Sequence, residues 1–119
     1  MLMLPSSVRI LLAAASVDFR NGFDGLAAIV RESLGADPQS GSLYVFRNKS
    51  GDKIKVLFAS RQGLCLFAKR LERGTFKFPS SDEATMEIEA AELGVLLEGL
   101  ELSARRSRAA RVTPAVVLR

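Results

Sequence analysis

The sequence predicts an α+β fold: an antiparallel sheet of four to five strands, two helices and a flexible C-terminal tail. Three observations carry this. Short apolar or alternating runs bounded by Gly, Asn, Asp and Pro recur through the first 89 residues, as strands do. Two windows, residues 23–34 and 90–100, instead space their apolar residues three and four apart, as one face of a helix requires. Residues 103–119 hold five arginines and no acid and show no sustained period, which predicts a chain without a core of its own.

Each element has a local reason. Val8 to Ala14 is a continuous apolar run short enough for a buried strand. Its stretch Ile10 to Ser16 resembles a signal-peptide core, but Arg9 lies directly against it and only about seven apolar residues follow, so a strand is expected. Asp18 to Gly22 is turn chemistry. Phe23, Leu26, Ala27, Val30 and Leu34 then mark a helix, with Asn21 or Asp24 as its cap, Gly35 as its end and Asp37-Pro38 as a block to continuation. Leu43–Arg47 and Lys53–Ala59 flank Asn48 to Asp52, a five-residue loop with a glycine, and so predict a hairpin. Leu64–Leu71 predicts a third strand of this block, Thr75–Phe78 a short fourth ended by Pro79, and Thr85–Glu89 an edge strand. Ala90–Leu100 predicts a helix with Leu93, Leu96, Leu97 and Leu100 on one face.

At 119 residues, 48% hydrophobic and 25% charged, the chain predicts one domain over 1–102 and an Arg-rich tail over 103–119. No apolar stretch reaches the roughly 18 residues of a membrane span. A single cysteine, Cys65, forms no intramolecular disulfide and fits a cytoplasmic setting. Charge is segregated. Residues 1–79 carry 12 bases and 6 acids, 80–102 carry 7 acids and no base, and the tail carries five bases, which sums to the net +4.

Several chemistries are excluded. With no histidine, Ser-His-Asp and Cys-His catalysis and histidine metal sites cannot form, and one cysteine cannot build a zinc cage. No phosphate-cradling glycine loop occurs; Gly22-Phe23-Asp24-Gly25 lacks the spacing. Asp52 and Glu72 fall in predicted turns, and capping accounts for Asp18 and Asp24. No catalytic residue, metal or cofactor is expected, and the protein is expected not to be an enzyme.

What is present is cationic. Arg47, Lys49, Lys53, Lys55, Arg61, Lys69, Arg70, Arg73 and Lys77 are opposed in their block only by Asp52 and Glu72. Lys53 and Lys55 share a strand face opposite Ile54, Val56 and Phe58. A meander would then have one apolar face and one basic face, the second suited to a sugar-phosphate backbone through counterion release. Tyr44, Phe46 and Phe67 would stack bases only if exposed; alternating aromatics are normally core. The acids of 82–101 either fold back on the basic face or solvate the last helix.

The motifs now resemble a family. Asp18-Phe19-Arg20-Asn21-Gly22-Phe23-Asp24-Gly25-Leu26 resembles the D-M-R-K-G-F-D-G-L segment of the Insertion Sequence 66 family accessory protein, often called TnpB. Leu43 to Arg47 and Gly51 to Leu57 are similar to its L-F-V-F-R and G-D-R-I-K-V-L. Gly63 to Gly74, with Phe76 and Pro79, is similar to G-x-x-L-F-x-K-R-L-E-x-G-x-F-x-W-P, and Leu93 to Leu100 to L-x-x-L-L-x-G-L/I. The match spans roughly residues 4–102 in the family's order. Phe19, Asn21 and Phe78 stand where Met, Lys and Trp are usual, and a W-[DY]-like pair is replaced near Ala59-Ser60. The resemblance implies an element-encoded protein that assists transposition beside a larger transposase carrying the strand-transfer chemistry.

Two binding modes are therefore expected. One is DNA, at element ends, through Arg47, Lys49, Lys53, Lys55, Lys69, Arg70, Arg73 and Lys77, with Arg20 as a helper. The alternative is a protein-interaction module in which the C-terminal helix and tail dock on the element's transposase. A metal-dependent nuclease is the third and least supported possibility. No membrane partner is expected.

Overall fold

A computed structural model describes residues 8–102. Chain order within it is β1 (Ile10–Ala13), α1 (Phe23–Glu32), β2 (Leu43–Arg47), β3 (Lys53–Ser60), β4 (Gly63–Arg70), β5 (Thr85–Ile88) and α2 (Ala90–Leu97). The strands form one sheet in the order β4-β3-β2-β1-β5. The α+β class, the two helices and the mostly antiparallel sheet are as the sequence predicts. The expected tail lies outside the described residues.

Three features differ from the sequence expectation. β1 and β2 pair in parallel, Ile10 opposite Leu43 and Leu12 opposite Val45. The helix between them carries the chain back to the starting end, so a parallel return is the only short one. Thr75–Phe78 is not a strand: Phe76 donates its N–H to the Gly51 carbonyl at 2.8 Å, and Leu71 to Asp52 at 2.8 Å, which ties this segment to the hairpin loop. α2 stops at Leu97, where Gly99 with φ +80 lets the chain turn away.

Both faces of the sheet are buried, which corrects the expectation of one apolar and one wet face. Ile10, Leu12, Leu43, Val45, Ile54 and Val56 point to one side and pack with Phe76, Leu93, Leu96 and Leu97. Leu11, Ala13, Tyr44, Phe46 and Leu57 point to the other and pack under Leu26, Ala27 and Val30 of α1. The central strands are apolar on both sides for this reason. Tyr44 and Phe46 are core residues, 1% and 0% exposed, so neither is a stacking platform. The Tyr44 hydroxyl donates to the Asp37 carbonyl at 2.9 Å.

The helix ends follow local rules, though not the expected ones. Neither Asn21 nor Asp24 caps α1; its N-cap is Gly22, with no side-chain cap, and the Asn21 amide instead donates to the Asp18 carbonyl at 2.9 Å. Gly35, at φ +63, closes the helix as expected while Ala36 N–H returns to Val30 O at 3.0 Å. α2 opens on a capping box in which buried Glu92 accepts the Glu89 N–H at 2.8 Å.

Candidate nucleic-acid interface

A groove with four cationic side chains in its lining lies on the α1 side, at the end of the β2–β3 hairpin. Ser16, Val17, Asp18, Phe19 and Arg20 form one wall; Asn48, Lys49, Ser50, Lys53 and Lys55 form the other. Two segments far apart in sequence meet there because Val17 N–H donates to Arg47 O at 2.9 Å and Lys55 reaches across. Lys55 Nζ donates to the carbonyls of Phe19 and Asn21, each at 3.0 Å, and lies 4.9 Å from the Phe19 ring centroid. Four cations and one acid line the groove, and Asp52, 3.7 Å from Lys53, brings the local excess to +2.

Each wall is held by its own hydrogen bonds. Asp18 accepts the Arg20 backbone N–H at 2.8 Å and the Arg20 guanidinium at 2.6 Å. Those side-chain bonds hold the Asp18 carboxyl down at about 2 and raise the Arg20 guanidinium. Across from it, Asn48 Oδ1 accepts the N–H groups of Gly51 and Lys53, both at 3.0 Å, while its amide donates to Asp52 at 2.9 Å. The Asn48 and Ser50 donors lower the Asp52 carboxyl. Gly51 sits at φ +81, and a Cβ there would meet Thr75 at 3.3 Å. In the first turn of α1, a Cβ on Gly25 would overlap the Asn21 side chain.

The nine cations expected to act together are divided by the fold. Arg20, Lys49, Lys53 and Lys55 line the groove, and β4 brings Arg70 opposite Lys53 on the same face. Lys49 is exposed and makes no ion pair among the described residues; Lys53 lies 3.7 Å from Asp52 and Arg70 lies 3.3 Å from Glu72. Arg47 and Lys69 instead point to the opposite side of the sheet. Arg47 donates to the Ala14 carbonyl at 2.7 Å and stacks over Phe78, while Lys69 donates to Leu97 O at 2.7 Å, a cation at the C-terminus of α2. Arg73 and Lys77 are exposed on the segment after β4 and do not line the groove; Lys77 lines a separate cleft with Arg47. The sequence reading missed Asp18, Asn48 and Ser50 as groove residues; their signal was the turn-forming spacing around each motif.

The acids of 82–101 do not form a lid over the groove. Glu87 bonds Arg9 at 2.9 Å, Glu92 serves its helix cap, and Glu98 and Glu101 are exposed. No helix among the described residues is long and apolar enough to cross a membrane.

These features define a small α+β domain of three layers, with a cation-lined groove built from two turn motifs. The particular family follows from comparison with known proteins. The chain belongs to the IS66 Orf2-like proteins, whose family pattern matches residues 8–107. It is 45% identical over 101 residues to the uncharacterized protein y4hO of Sinorhizobium fredii strain NGR234, covering 83% of this chain and 88% of that one. It is 37% identical over 94 residues to the uncharacterized protein y4jC of the same strain, covering 79% and 80%. No solved structure matches. Family membership associates the chain with transposition by an insertion sequence, as an accessory protein.

Proposed function

We propose that the protein is a non-catalytic DNA-binding accessory factor of its insertion sequence, and that the groove holds the phosphate backbone. The observation that supports this is the meeting of Arg20, Lys49, Lys53 and Lys55 on one face, with Arg70 beside them, five cations against Asp18, Asp52 and Glu72. Lys49, Lys53 and Arg70 supply the exposed charge. Arg20 presents a guanidinium already oriented by Asp18, and Lys55 holds the two walls together. Asn48 and Ser50 add neutral polar groups to the same wall.

The test is duplex binding by fluorescence anisotropy across a salt series. Three to four phosphate contacts predict a log–log slope of about −3, so affinity falls by about 40- to 150-fold between 50 and 200 mM salt. Lys49→Gln with Lys53→Gln should flatten that slope by about 2. Absence of salt-dependent binding at low ionic strength refutes the proposal.

A second reading has one observation in its favour. Leu100 is 58% exposed just beyond α2, between the exposed acids Glu98 and Glu101. An apolar residue set in acid suits a basic partner surface, such as one on the transposase of the same element. Deleting α2 would remove the core residues Leu93, Leu96 and Leu97, so the informative variant is Leu100→Asp. Co-elution with the transposase that survives this change counts against docking there.

A further inference from the structure

Strand β4 is one edge of the sheet and has eight residues, against four in β5 at the other edge. Its turn fixes which of its backbone groups are engaged. Arg61 and Gln62, at φ 45 and 46, close a two-residue hairpin, so Ser60 and Gly63 are the first hydrogen-bonded pair. Gly63, Cys65, Phe67 and Lys69 therefore bond to β3, and the backbone groups of Leu64, Leu66, Ala68 and Arg70 point outward. Leu71 keeps the alternation by donating back to Asp52. Among the described residues, no hydrogen bond takes up the outward groups.

Edges of this length are usually blunted by charge, proline or a bulge. Here Leu64, Cys65, Leu66 and Phe67 follow one another, only half-buried, and the strand's cations come only at Lys69 and Arg70. The helix above adds apolar surface. α1 packs on β3 and β4, and its leading turn is held by Lys55, whose partner on β4 is Ala68. Phe23 starts that helix on the face of Leu26, Ala27 and Val30, yet it is 48% exposed.

We propose that β4 is the interface of a homodimer, in which two copies pair antiparallel about a twofold axis through Leu66 and form one continuous sheet. With that centre, Leu64 meets Ala68 of the second copy and Leu66 meets itself, so outward groups face outward groups and about six backbone hydrogen bonds form. Cys65 faces Phe67. Lys69 and Arg70 face Gly63 and Gln62, and Arg61, which makes no ion pair among the described residues, comes within reach of Glu72. A centre on Cys65 would set Lys69 against Arg61, and a centre on Phe67 would set Arg70 against Leu64. Charge selects Leu66.

The axis stands perpendicular to the sheet, so both grooves open on one side. Lys53 pairs with Arg70, four residues from the axis. At about 3.4 Å per residue and about 4.8 Å between strands, the two Lys53 positions lie about 30 Å apart. One DNA turn is about 34 Å. That spacing matters only if the groove binds DNA; the dimer stands on the strand alone.

The mass of the full chain in solution without DNA, by light scattering at micromolar concentration, tests the dimer. Twice 12.9 kDa is expected. Ala68→Pro should halve it, because the Ala68 N–H points outward and its loss breaks no bond to β3. Should that variant unfold, the Cys65→Ser, Leu66→Cys double variant gives an independent readout: a crosslink across the axis, which wild-type Cys65 does not form. A folded wild-type chain that stays monomeric overturns the proposal, and so does a dimer that keeps its mass with Ala68→Pro and never crosslinks. A monomer whose Leu64, Leu66 and Ala68 amides resist exchange would assign the edge to this chain's own segments, and overturns it too. A dimer without duplex binding would count against the DNA proposal alone.

Discussion

Replacing Lys55 with methionine distinguishes a lysine that builds the groove from one that only lines it. The change keeps the apolar stem and removes the ammonium group that holds Phe19 O and Asn21 O at 3.0 Å each. Hydrogen bonds from a charged donor contribute about 1.5–3 kcal/mol each. The site is half-buried, so water recovers part of that; about 1 kcal/mol per bond is a reasonable net loss. The contact with the Phe19 ring adds about 0.5–1 kcal/mol. The total is about 2.5–3 kcal/mol, which in a domain of this size lowers the melting temperature by more than about 10 °C. Lys53→Met is the control: its ammonium is partly exposed and 3.7 Å from Asp52, and its loss should cost under about 1 kcal/mol. Urea denaturation followed by circular dichroism measures both. Equal stability of the two variants, or a loss below about 1 kcal/mol for Lys55→Met, would refute the assignment of Lys55 as the tie between the walls.

Three further outcomes follow from the same geometry. Gly51→Ala, which forces a side chain into φ +81 against Thr75, should destabilise by about 1–2 kcal/mol, read as a lower urea midpoint at unchanged slope. The Asp18 carboxyl, held at about 2 in the folded chain against 3.8 when free, stabilises the fold fully above pH 4 and loses that contribution as pH falls toward 2. Carboxyl NMR titration should place its midpoint near 2, and Arg20→Gln should return it toward the ordinary range. Lys69→Met removes the donor to Leu97 O at 2.7 Å and should cost about 1–2 kcal/mol, with α2 amides losing hydrogen-exchange protection before those of the sheet.

The prediction of α+β was legible because periodicity is a local property. Leu26, Ala27 and Val30 at helical spacing are buried where the pattern put them, and the five-residue loop Asn48 to Asp52 turns a hairpin as its Asn and Gly require. Phe23 belongs to the same pattern and is exposed, since spacing says which face a residue takes but not whether anything lies above it. Thr75–Phe78 alternates like a strand yet finds no sheet partner. Its one buried phenylalanine, Phe76, plugs the core beside α2 instead.

The amino-acid sequence by itself determined the elements, the family motifs and the absence of histidine chemistry, all of which depend on residue identity and near neighbours. The tertiary structure decided which cations share a surface. Lys53 and Lys55 alternate with Ile54 whatever the fold, but only the crossover through α1 brings Asp18 and Arg20 beside them, and only the β3–β4 register turns Arg70 toward the groove and Lys69 away. Charge acts through space, and the distances that matter here join residues more than 30 positions apart, as Lys55 and Phe19 are.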